Sequence, residues 1–172
     1  ESSGFQVSVI DKTSKSSDAM YWTDSFLQVK KRKTSSTQTE NLFEICKSYI
    51  SQLEETDESQ KANMVNKAFS LLKESEEVIN LQGFQENVFG TQHLADDFEE
   101  YRKDEQSKKQ IEIDEVFETD SSTLKKTGVK KLTTLHLDDN FDLVVKGQND
   151  IEKGFDEKRQ KYYYKLYFDK EK

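Results

Sequence analysis

Between residues 37 and 53, Leu42, Ile45, Cys46, Tyr49, Ile50 and Leu53 recur at spacings of three, one, three, one and three. That interval lines all six along one stripe of an α-helix. A helix cannot bury such a stripe by itself, so the rest of the chain must supply elements to cover it. Thr37 and Glu40 have capping-box spacing, which predicts a helix over 37–53. Asp57 with Gln60 repeats the capping logic for a second helix whose inner face is Val65, Ala68, Phe69 and Leu72. The short polar link between the two favours an antiparallel pair. Residues 78–90 read as a mixed segment with a short helix bearing Phe84, Val88 and Phe89, stopped by Gly90. Thr91 is expected to cap a further long helix to about Lys109, with Leu94, Phe98 and Tyr101 inward. Ile111, Ile113, Val116 and Phe117 suit a short extended or turn region, and Ser121 or Ser122 is placed to cap a brief helix through Lys130.

Towards both ends the apolar period shortens to two. Residues 5–10 alternate, and 19–22 with 26–29 form a second apolar stretch. Residues 132–137 and 141–145 flank Asp138-Asp139-Asn140, a hairpin-type connection. Residues 151–155 and 162–168 form another pair around the polar turn 156–160, with Tyr162, Tyr164, Leu166 and Phe168 on one face. The expected class is α+β: an antiparallel sheet from N- and C-terminal strands with a central group of three or more helices. One domain over 1–172 is expected, with flexible loops at 11–18 and 30–36.

Composition sets outer bounds on function. The chain is 33% hydrophobic and 35% charged, with a mean hydropathy of -0.94, enough apolar material for one compact domain of 172 residues. No run reaches the ~18–20 apolar residues of a membrane-spanning helix, and no secretory signal opens the chain. The first residue is Glu1 rather than Met, which leads us to expect a piece of a longer protein. A single cysteine, Cys46, excludes an internal disulfide framework and a multi-cysteine zinc site, and a reducing cytoplasm is the expected compartment.

No constellation for catalysis emerges. His93 and His136 share no spacing motif, Cys46 falls on the apolar stripe, and neither GxxxxGK[ST] nor GxGxxG occurs. Asp138-Asp139-Asn140-Phe141-Asp142 lacks the central Gly and terminal Glu of an EF-hand, so a turn explains it better than a cation site. The reading assigns no catalytic residue, no metal and no cofactor.

Charge is informative through its distribution. The formal net charge of -8 repels phosphate at long range, yet binding depends on local patches. Basic residues cluster as Lys30, Lys31, Arg32 and Lys33, as Lys125, Lys126, Lys130 and Lys131, and as Lys153, Lys158, Arg159, Lys161 and Lys165. The segment Lys161-Tyr162-Tyr163-Tyr164-Lys165-Leu166-Tyr167-Phe168 interleaves rings with cations. It supports two readings: rings stacking on bases while cations meet phosphates, or a strand whose tyrosines pack a core edge with wet hydroxyls.

The block Ile151-Glu152-Lys153-Gly154-Phe155-Asp156-Glu157-Lys158-Arg159, followed by Tyr163-Tyr164-Lys165-Leu166-Tyr167-Phe168, resembles the C-terminal signature of bacterial nucleoid-associated proteins of the NdpA/YejK type. Leu135-His136-Leu137-Asp138-Asp139-Asn140-Phe141 is similar to that family too, as is Ala19-Met20-Tyr21-Trp22 leading to Phe26-Leu27 after Val9-Ile10-Asp11-Lys12. The resemblance implies roughly the C-terminal half of a cytoplasmic protein that associates with the nucleoid, with double-stranded DNA as partner. At net charge -8 the contact must be a confined basic surface. On electrostatic grounds the nucleic-acid-binding residues are expected to be Lys30, Lys31, Arg32, Lys33, Lys158, Arg159 and Lys161, contacting phosphates without reading sequence. The alternative is a protein-interaction or homo-oligomerisation module with no DNA contact.

Overall fold

The computed structural model describes residues 32–74, 78–124, 133–146 and 151–171. The expected strands at 5–10 and 19–29, the loop at 11–18 and the basic group Lys125, Lys126, Lys130 and Lys131 lie outside the described residues. Helix α1 spans Ser35–Gln52. It starts earlier than the Thr37–Glu40 box predicted, because Thr34 is the cap. The Thr34 hydroxyl accepts from the Thr37 N–H (3.2 Å), and the Thr37 hydroxyl accepts from the Thr34 N–H (2.9 Å). Thr37 thus does the work a glutamate usually does at the third helical position; of the loop expected over 30–36, positions 35 and 36 belong to the helix, and 30 and 31 lie outside the described residues.

Helix α2 (Glu58–Glu74) is capped by Asp57, whose Oδ1 accepts from the N–H groups of Ser59 and Gln60 at 2.8 and 3.1 Å. Strand β1 (Val78–Asn80) leads directly into α3 (Leu81–Phe89), with the Asn80 side chain accepting from the Gly83 N–H. Gly90 closes α3 at φ +70°, a left-handed conformation that glycine adopts without steric penalty. Helix α4 (Gln92–Lys109) follows; Thr91 holds its cap position but makes no side-chain capping bond. Strand β2 (Val116–Glu118) pairs antiparallel with β1, Ile79 opposite Phe117. A 3-10 turn at Ser121–Thr123 is capped by Asp120, not by Ser121 or Ser122 as expected, because the Asp120 carboxylate reaches the Ser122 N–H.

The stripe of α1 is covered as its spacing requires. Leu42, Ile45, Cys46 and Ile50 are buried with Val65, Ala68 and Leu72 of α2, Phe84, Val88 and Phe89 of α3, and Phe98 of α4. At the centre Tyr49 meets Phe89 (5.3 Å between centroids) and Phe98 (5.5 Å), while Phe89 and Phe98 stand 4.8 Å apart. Gln38, Thr39 and Arg102 are among the polar residues buried in the same region. Gln38 Oε1 accepts from the Asp114 N–H and Thr39 Oγ1 from the Asp120 N–H, fastening the return segment to α1. Arg102 donates to Gln106 (2.7 Å) and reaches Glu115 at 3.2 Å.

Two hairpins complete the described chain: β3 (Thr134–Leu137) with β4 (Phe141–Val144), and β5 (Ile151–Asp156) with β6 (Lys161–Leu166). The fold is α+β with its helices central, and the described strands form three separate two-stranded ladders. A second, small core holds the hairpins to α2. Ala62, Leu135 and Val145 are buried there, with Leu137, Leu143, Ile151 and Tyr164 packed against them. Asn66 of α2 also donates to the Val145 carbonyl at 3.2 Å.

Candidate nucleic-acid interface

Register decides what the last hairpin presents. Residues directly opposite in an antiparallel ladder point to the same face. Ile151 with Leu166, Lys153 with Tyr164, and Phe155 with Tyr162 therefore share one face; Glu152 with Lys165, Gly154 with Tyr163, and Asp156 with Lys161 share the other. On the first face, Ile151 and Tyr164 rest on the small core. Towards the turn that support ends: Phe155 is 45% and Tyr162 72% exposed, their rings 5.0 Å apart and tilted 61°. The Lys153 ammonium lies 5.5 Å from the Tyr162 ring centroid and 5.9 Å from that of Tyr164, within cation–π range.

The other face has its own lattice. The Tyr163 ring lies over Gly154, where an added Cβ would collide with it. Glu152 accepts from the Tyr167 hydroxyl (3.0 Å) and from Lys165 (3.4 Å), and Lys165 sits 4.6 Å from the Tyr167 ring. The Tyr167 hydroxyl, with Glu152 adding to it, holds the Lys165 ammonium above the ordinary lysine range. Asp156 closes the turn by accepting from the Lys158 and Arg159 N–H groups at 2.9 and 3.1 Å. Positions 157–163 are all exposed. Between positions 152 and 165 five cations stand against three carboxylates, with Glu152 holding Lys165 and Asp156 holding Arg159, which leaves a modest positive surplus on an acidic chain.

Of the expected site residues, the hairpin brings Lys158, Arg159 and Lys161 together at this tip. Arg159 makes an ion pair with Asp156 at 3.3 Å. Arg32 and Lys33 precede α1, in a different part of the fold, and both are exposed. Lys33 is bound to Asp114 at 2.7 Å with Glu112 at 3.8 Å, and the hydrogen bond to Asp114 raises its pKa. Among the described residues no hydrogen bond or ion pair joins the two groups, and Lys30 and Lys31 lie outside them. Sequence reasoning left Lys153 off the site and did not single out the Phe155–Tyr162 pair. Their alternation in residues 153–164 was the available signal.

Cys46 is fully buried and burial pushes its thiol far up. Exposed His136 faces Asp142 at 2.7 Å across the β3–β4 ladder, and Asp138 takes φ +53° in its turn. No group of three or more His, Cys, Asp or Glu is arranged to hold a metal ion among the described residues. No described helix is long and apolar enough to cross a membrane.

Comparison with known proteins gives one family. The family model described as nucleoid-associated protein YejK matches residues 1–165. No curated protein and no solved structure gave a significant match to the chain.

Proposed function

Because this chain belongs to the nucleoid-associated protein YejK family, we propose that it binds double-stranded DNA without catalysis, through phosphate contacts made mainly by the tip of the β5–β6 hairpin. The observation that carries this reading is the exposed cluster of Lys158, Arg159 and Lys161, with Lys153 beside it, on a chain whose net charge is -8. Lys30, Lys31 and Arg32 are proposed as a second basic group. Lys33 contributes less, since Asp114 and Glu112 already neutralise it.

Phosphate contacts position a protein on a duplex without specifying sequence. The expected binding is therefore sequence-tolerant and steeply dependent on salt. Four phosphates neutralised at the tip alone contribute about -3.6 to the log–log slope, so affinity falls by roughly 150-fold or more between 50 and 200 mM salt. Anisotropy titrations of a labelled duplex across that range test the proposal. The triple substitution Lys158→Gln/Arg159→Gln/Lys161→Gln should make the slope shallower by about 2.7. A slope near zero in the unaltered protein, or one the triple substitution leaves unchanged, overturns the reading.

Self-association draws on the exposed apolar side chains Leu166 and Phe168, 46% and 75% accessible. Lysines on a strand edge discourage strand addition, and β6 carries Lys161 and Lys165. Light scattering separates the readings: a stable dimer that leaves duplex DNA untouched favours self-association.

A further inference from the structure

We propose that the β5–β6 hairpin acts as a DNA-kinking ribbon, with Phe155 and Tyr162 wedging against a base step from the minor groove. This rests on the duplex-binding reading above and specifies its mode. Among the described residues the hairpin is anchored at its base only. Ile151 and Tyr164 are seated on Ala62, Leu135 and Val145, whereas positions 157–163 stand in solvent.

The last cross-strand pair before the turn on the core-facing side is Phe155 with Tyr162. Two large rings in contact with each other, 45% and 72% exposed, are out of place on a merely supported strand. Their neighbours are the cations of the tip: Lys153 lies against Tyr162, and Lys158, Arg159 and Lys161 surround the turn. Asp156 is occupied with the turn's own N–H groups and with Arg159, and Glu157 is the other carboxylate of the turn. Apolar side chains flanked by phosphate-binding cations are the combination by which minor-groove proteins part a base step and bend the duplex.

Charge selects the occupant. Two copies meeting tip to tip would oppose the same positive surplus, five cations against three carboxylates over positions 152–165, whereas a duplex supplies the complementary charge. Flexible pyrimidine–purine steps are the easiest to open, so a central TA step should be favoured over an A-tract.

The test is a bend assay by energy transfer on an end-labelled duplex with a central TA step, using the full chain at saturation. The unaltered protein should bend the duplex by about 20–90°. Phe155→Thr/Tyr162→Thr, which keeps strand-favouring residues, should bind with an unchanged salt slope and leave the duplex straight. Phe155→Leu/Tyr162→Phe, which keeps an apolar wedge, should retain the bend, and it decides the matter if the Thr pair fails to bind. A saturated but straight duplex with the unaltered protein overturns the wedge and leaves the phosphate contacts standing; so does a bend that survives the Thr pair or is lost in the Leu/Phe pair. Tighter binding to single strands that vanishes in the Thr pair overturns it in favour of stacking on unpaired bases. Failure of the unaltered protein to bind duplex at all removes the duplex-binding reading and the wedge together.

Discussion

Replacing Phe98 with alanine tests whether the four helices share one core. Phe98 is 0% exposed and touches Tyr49 of α1 and Phe89 of α3, so it joins three helices at one point. Truncating a buried phenylalanine to alanine costs about 3–5 kcal/mol. Two ring pairs are lost with it, each worth roughly 0.5–1.5 kcal/mol beyond burial, which places this site near the top of that range. Set against the roughly 5–15 kcal/mol that holds a domain folded, about 5 kcal/mol is a third or more of the total. Urea unfolding followed by far-UV circular dichroism measures it. With a slope of roughly 2 kcal/mol per molar urea, the midpoint should fall by about 2 M or more. Phe98→Leu, which leaves most of the volume filled, should fall between the two. Phe168→Ala is the control: its ring is 75% exposed, so its change should stay within about 0.5 kcal/mol. A midpoint shift for Phe98→Ala below about 0.5 M, or equal shifts at the two positions, would refute the packing described above.

Three further outcomes are expected. Cys46 is fully buried with its thiol pushed far up by desolvation, so a thiol reagent at pH 8 should label it only at the rate of unfolding; immediate labelling of folded protein counts against its core position. The Tyr49 hydroxyl is pushed up to about 12 by burial, with Asp97 adding to the shift. The fold keeps that proton longer than the unfolded chain does, so the associated stability is intact below pH ~10 and is lost as pH rises from there towards 12, which alkaline denaturation with and without Tyr49→Phe can follow. Thr34→Ala removes a cap hydroxyl that holds the Thr37 N–H and should destabilise by about 1 kcal/mol, whereas Thr37→Glu, which restores the commoner capping box, should be close to neutral.

The helices could be read from the chain because apolar side chains at a period of 3.6 admit few alternatives, and the stripe from Leu42 to Ile50 is buried as its spacing required. The start of α1 was misplaced because a hydroxyl, not a carboxylate, completes its cap at Thr37. Strand β1 escaped notice because only Ile79 of its three residues faces inward, and the Phe117 it pairs with is remote in sequence. Gln38, Thr39 and Arg102 are of types that read as surface, and their burial follows from partners on the return segment that no local pattern announces. At the candidate interface the turn residues Lys158, Arg159 and Lys161 were readable from charge. The engagement of Lys33 by Asp114 was not, because it joins distant segments. Alternation in β6 correctly put Tyr162 and Tyr164 on one side, but it could not tell that the supporting core reaches only Tyr164.

The two cores differ greatly in size, and that inequality sets an order of opening. Among the described residues seventeen buried ones tie α1–α4 and the β1–β2 ladder together, while three hold the C-terminal hairpins to α2. Fluctuations that free a segment scale with the apolar contacts released, so amide protons of β3–β6 should exchange with solvent well before those of the helices. An arm that detaches while its base stays folded can search for a ligand over a wider radius and still be recaptured intact.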